Sequence, residues 1–183
     1  MIELDRRTLL AAGAGLALGL TTPHASAGLV RGLALAELVQ RSRSICVARL
    51  LDMSCHWVEL GGARRIVTDS ALEVLEDVAG ERQKRVVVRT YGGRVGGVAQ
   101  LVHGQARFAW HVANVVFLLA REDRHHVVGH AQGHYPLEET SLPRLFASPD
   151  LPEIVRFQES AVRRLVGERL PIARELIQEA KMP

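Results

Sequence analysis

Eight histidines are the one chemical excess of this 183-residue chain, and His125, His126, His130 and His134 fall within ten positions of one another. Imidazole is the side chain that changes charge between about pH 5 and 8, and it is the commonest protein ligand for a metal ion. The stretch from His126 to Tyr135 reads as the last strand, on which His126, His130 and His134 share parity and therefore one face. Successive members stand about 13 Å apart on such a strand, too far to clasp one ion at about 2.0–2.1 Å per bond. A bend at Gly129 or Gly133, or help from His103 or His111, is required. No H-E-x-x-H or C-x-x-C spacing is present, so no cofactor is predicted; zinc or copper is the ligand class that these histidines would take.

Other chemistry is thinner. Ser44, Ser54 and Ser70 lack the G-x-S-x-G context of an activated serine. Cys55 and His56 are adjacent, but neighbouring strand side chains point to opposite faces, so they do not form a thiol–imidazole pair. Glu73, Glu76 and Asp77 sit in a mixed-charge strand end, where carboxylates are solvated. Cys46 and Cys55 lie nine positions apart on one strand, about 30 Å when extended, against roughly 4.4–6.8 Å between the Cα atoms of a disulfide. The odd separation sends them to opposite faces, so two free thiols are expected, with Cys46 buried. Trp57, Tyr91 and Trp110, with Phe108, are the aromatic candidates for a binding surface, although core packing is the commoner fate of so few aromatics. Without acid, base and nucleophile in one constellation, the chain reads as a binding or interaction domain rather than an enzyme.

These residues must be positioned by a chain that alternates more often than it winds. Leu33–Arg41 reads as a short helix, and Ile45–Val58 and Arg65–Val78 as long strands around a Gly61-Gly62 turn. The apolar parity of the second strand slips near Val74-Leu75, the mark of a bulge. Arg85–Tyr91 is a third strand. The glycine run from Gly92 to Gln100 fits no phosphate-loop spacing and reads as a tight turn plus a strand that bends around a small barrel. Ala113–Arg121 is a strongly apolar central strand with a Glu122-Asp123-Arg124 exit turn. Beyond Pro149 the period becomes helical, with Ile154, Phe157, Ala161 and Leu165 on one stripe, then a helix opened by Pro171 with Ile172, Leu176 and Ile177 inward. The fold class is mainly β: a small antiparallel barrel of five to six strands, a short N-terminal helix and C-terminal helices.

Residues 1–27 read as a twin-arginine export signal. Arg6-Arg7 precedes an apolar run from Ala11 to Leu20, too short to span a bilayer, and Ala25-Ser26-Ala27 is a small-x-small cleavage site. The expected compartment is the periplasm or the exterior, with the twin-arginine translocase a partner during export. Residues 28–140 form the barrel and 141–183 the helical extension. A net charge of +3 is too small and too scattered to argue for nucleic acid. The remaining partner is an envelope protein or a small ligand, and the alternative is a periplasmic metal-binding protein using the late histidines.

The stretch from Leu38 to Gly133 resembles a group of exported bacterial proteins common among myxobacteria. The resemblance rests on Ala36–Ser42, Ile66-Val67-Thr68, Val74–Asp77, the block Tyr91-Gly92-Gly93-Arg94-Val95-Gly96-Gly97-Val98-Ala99-Gln100, Phe117-Leu118-Leu119 and Val127–Gly133. The group is distantly similar to netrin-like domains, whose core is an OB-type barrel. The metalloproteinase inhibitors of that fold grip zinc with an N-terminal cysteine. Gly28 stands at the expected mature N-terminus of this chain, so the resemblance implies a fold and an envelope setting without an activity.

Overall fold

The computed structural model describes residues 31–156 and 159–182, and Arg6, Arg7, Ala25 and Ala27 of the expected export signal lie outside them. Two long strands dominate. β1 (Ser44–Leu60) and β2 (Ala63–Gly80) form one antiparallel hairpin, followed by β3 (Arg85–Tyr91). A small separate hairpin, β4 (Gly93–Val95) with β5 (Val98–Gln100), then precedes β6 (Ala113–Arg121) and β7 (Arg124–Val127).

The strands close on themselves in the order β1-β2-β3-β7-β6, with β6 returning to β1. All these ladders are antiparallel except β3–β7, where a single parallel pair, Val88 with His125, makes the seam. This is the strand order of an OB-type barrel, and closure leaves the ring with no exposed edge where it is complete. The glycine run does not bend around the ring as expected. It folds into the β4–β5 hairpin outside it.

Bulges set which side chains enter the barrel. The β1–β2 register skips Val78, Leu75 and Leu51, the second at the slip read from the sequence. The Leu51 bulge overturns one expectation: by changing parity beyond Leu50 it brings Cys46 and Cys55 to the same, inner face. Both remain free thiols.

Two apolar cores result. Inside the barrel, Cys46, Ala48, Leu50, Leu72, Val86, Val88, Val116 and Leu118 pack together over Ala106 and Phe108. Outside it, Ile45, Val47, Val115 and Phe117 pack under a helical layer. That layer comprises α1 (Leu35–Gln40), α2 (Glu153–Arg156), α3 (Ala161–Leu165) and α4 (Leu170–Lys181). Strands buried on both faces read as unbroken apolar runs, which is why Ala113–Arg121 was legible. Each fully covered leucine, such as Leu38, Leu72 or Leu118, contributes about 1.5–3 kcal/mol by leaving water.

The tail corrects the sequence reading twice. The single stripe is broken: Ile154 lies in α2 and Ala161 and Leu165 in α3, because Ser160 caps a new helix by accepting from the Arg163 N–H, and Phe157 lies outside the described residues. In α4 the inward residues are Leu170, Ala173 and Ile177, while Ile172 is exposed and Leu176 only flanks the core. Among the described residues, no helix is long and apolar enough to cross a membrane.

Candidate functional site

The barrel wall opens where β1 leaves β6. Their ladder runs only from Ser44–Leu118 to Arg49–Ala113, after which β1 and β2 project beyond the ring. The segment 101–108 folds under this open end, and a pocket of about 430 Å³ remains between the two. Met53 and Cys55 of β1, Thr68 and Ser70 of β2 and Thr90 of β3 line one wall; Leu101, Gln105, Ala106 and Phe108 line the other. The floor is the inner core itself, reached through Ala106 and Phe108. An apolar base with a few hydroxyls and a thiol at the rim is the composition of a small-ligand site.

Hydrogen bonds fix the polar wall. Thr68 Oγ1 donates to the Gly92 carbonyl at 2.8 Å. Its one proton is thereby used, so the Cys55 thiol is the donor across the 3.2 Å contact to Thr68 Oγ1. Gly93 lies against this pair at φ +135°, and a Cβ there would stand 2.6 Å from Thr68 Oγ1 and 2.7 Å from Cys55 Sγ. The glycine block of the sequence is thus the space that the Cys55–Thr68 pair needs. Two glutamines pin the surrounding backbone: Gln100 Oε1 accepts from the Ile66 N–H at 2.8 Å, and Gln105 Oε1 from the Tyr91 N–H at 3.2 Å.

On the outer face of the same strands sits a charge cluster that the sequence reading missed. Asp69 is 8% exposed and takes two bonds of 2.7 Å from Arg89 and one of 3.1 Å from Arg124, with His56 Nε2 at 3.8 Å. Burial alone would raise its carboxyl, but the bonds from Arg89 and Arg124 outweigh that and hold it below the usual carboxylate range. Arg89 belongs to β3 and Arg124 to β7, so Asp69 ties together the two strands that share only one ladder pair. The cluster is a saturated clamp on the seam. The available signal was an acid, Asp69, in the middle of the strand run Ile66–Leu72 and on the opposite parity from Ile66, Thr68, Ser70 and Leu72.

The three late histidines are not on one strand. β7 ends at Val127, the chain turns at Val128-Gly129, a 3-10 turn covers His130–Gly133, and β8 (His134–Pro136) pairs with β6. Gly129 makes the turn at φ +63°, close against Leu33, where a Cβ would sit 2.5 Å from Leu33 Cδ1. His126 therefore stays on the outer wall near Tyr91, with ring centroids 6.3 Å apart. Burial, then Arg121 and Arg89, lower its pKa. His130, at φ +57°, contacts Gln105 Nε2 through Nδ1 at 3.2 Å.

His134 is fully enclosed in the molecule. Asn114 Nδ2 donates to the Val112 carbonyl, which leaves Asn114 Oδ1 to accept from His134 Nε2–H at 2.9 Å. The bare Nδ1 then accepts from the Ser148 hydroxyl at 3.0 Å. Burial pushes its pKa down to about 4. This Ser–His–Asn chain has triad-like bonding, but Ser148 is 1% and His134 0% exposed, so no substrate reaches it. Among the described residues, no three or more His, Cys, Asp or Glu side chains are grouped to hold a metal ion.

The aromatic candidates also separate. Tyr91 lines the barrel-mouth pocket. Trp57 is half-buried under the Arg64 guanidinium, 5.0 Å from its ring. Trp110 is exposed beside His111 and Glu138 in another hollow. A larger hollow of about 800 Å³ carries Arg31, Arg41 and Asp150, but Glu37 pairs both arginines and Arg107 pairs the aspartate. Cys46, inside the barrel, has its thiol pushed up to about 12 by burial and then by Asp77, and is inert. No family model, curated protein or solved structure matches this chain.

Proposed function

We propose that this chain is an exported, non-enzymatic binding domain whose recognition site is the open mouth of the barrel. The observation that carries the reading is the pocket of about 430 Å³ with an apolar floor and a polar wall of Cys55, Thr68, Ser70 and Thr90. The enclosure of the Ser148–His134–Asn114 chain supports the non-enzymatic half of the proposal. The twin-arginine pattern at Arg6-Arg7 and the Ala25-Ser26-Ala27 site support export by the translocase to the periplasm or beyond. The resemblance of Leu38–Gly133 to a group of exported bacterial proteins supports the same setting.

The test is a fragment screen by amide-resolved NMR on the mature chain. Apolar fragments are expected to shift the amides of Met53, Thr68, Ser70 and Thr90, and Ser70→Leu, which fills the pocket, is expected to abolish those shifts. Shifts confined to other surfaces would overturn the reading. So would stoichiometric zinc or copper retained on purification and lost in His130→Ala.

A further inference from the structure

We propose that the free edge of β1, from Met53 to Glu59, pairs with an extended peptide strand of another protein, whose alternate apolar side chains enter the barrel-mouth pocket. The inference rests on the pocket reading and names the partner class. Beyond Arg49 the outer edge of β1 pairs with no described strand. The Met53 N–H is bonded instead to its neighbour Asp52 Oδ1 at 2.8 Å, so it points away from β2. By the two-residue alternation of an antiparallel ladder, the N–H and C=O groups of Cys55, Trp57 and Glu59 point the same way. An unpaired row of this kind is a template for another strand.

The same residues that offer backbone outward send their side chains to the inner face, and Met53 and Cys55 line the pocket. A strand laid on this edge therefore sets every second side chain beside the pocket mouth. The rim is apolar there: Met53 is 45% and Leu101 62% exposed. A second copy of this chain does not satisfy the site. Of the inner-facing side chains on its edge, Cys55 is held by Thr68 and Trp57 lies under Arg64, which leaves Met53 as its one free apolar side chain where an extended peptide brings one at every second position.

The experiment selects displayed random 12-residue peptides on the full mature chain and measures synthetic copies by fluorescence anisotropy. The expected peptides are apolar at every second position. N-methylation of alternate peptide amides is expected to weaken them at least about tenfold, because each methyl removes a ladder donor. Trp57→Pro and Glu59→Pro, which remove outward N–H groups, are expected to abolish binding with little change in Tm, since proline is tolerated on edge strands. Peptides of helical period, insensitivity to N-methylation, binding retained in both proline variants, or no selected peptide would overturn the proposal. A dimer that Trp57→Pro dissociates would also overturn it, in favour of a second copy. Fragment binding at Ser70 and Thr90 without peptide binding would sink the strand and leave the pocket standing.

Discussion

In the near half of the β1–β2 hairpin, Ser44 to Ala48 are buried on both faces of β1, whereas from Leu51 to Leu60 no residue of β1 is buried. Composition does not explain the contrast, because the far half carries Leu51, Met53, Trp57, Val58 and Leu60. What differs is cover. The near half has the barrel interior on one side, the helical layer on the other and β6 along its edge. The far half has only β2 and the β4–β5 hairpin. A strand sequence thus specifies pairing, while the rest of the chain decides which part of it is left open to bind.

The largest expected break in that comparison is Leu72→Ala, in the near half. Leu72 is fully buried opposite Leu50, and its loss is expected to cost about 2–5 kcal/mol in urea unfolding. The enclosed His134 should make stability depend on pH by a similar amount. The folded chain keeps it neutral to about pH 4, while an unfolded histidine titrates near 6.5, so between these the unfolded state binds more protons. Stability is therefore expected to fall by up to about 3 kcal/mol as pH drops through that window, and His134→Gln should flatten this part of the profile.

Gly93→Ala, in the hairpin packed on the far half, is expected to cost about 2 kcal/mol by colliding with Thr68 and Cys55, whereas Gly97→Ala, in open space, should be near neutral. Asp69→Asn should cost about 2 kcal/mol and quicken hydrogen exchange along the β3–β7 seam. The smallest effect belongs to the far half: Met53→Ala is expected within about 0.5 kcal/mol of wild type in thermal unfolding. A large loss there would mean that the open edge is structurally supported after all.

The barrel was legible because its strands alternate or run apolar without a break, and because glycines mark the turns between them. The short helix, the third strand and the central strand were read close to their true bounds. Local pattern failed where tertiary contacts override it. His126, His130 and His134 share parity on paper, but Gly129 tucks against Leu33 across the molecule and breaks the strand. Cys46 and Cys55 count as opposite faces until the Leu51 bulge is known. Of the pocket, Tyr91 and Phe108 were legible as aromatics flanking the glycine block. The wall of Thr68, Ser70 and Thr90 was not, because a hydroxyl on a strand looks the same whether it faces solvent or the inside of a barrel.

The helical layer carries a consequence for timing during synthesis. α1 packs with α3 and α4 in one core, and the Ala161 N–H bonds the Leu33 carbonyl at 2.7 Å. Its six residues are too few to hold a helix alone. About 130 residues separate α1 from α4, which at typical elongation rates is on the order of ten seconds. Through that interval the nascent chain presents Leu35, Leu38 and Val47 bare, joined by Phe117 once β6 has been made, so the period of greatest exposure to aggregation and proteolysis comes before α4 has been made.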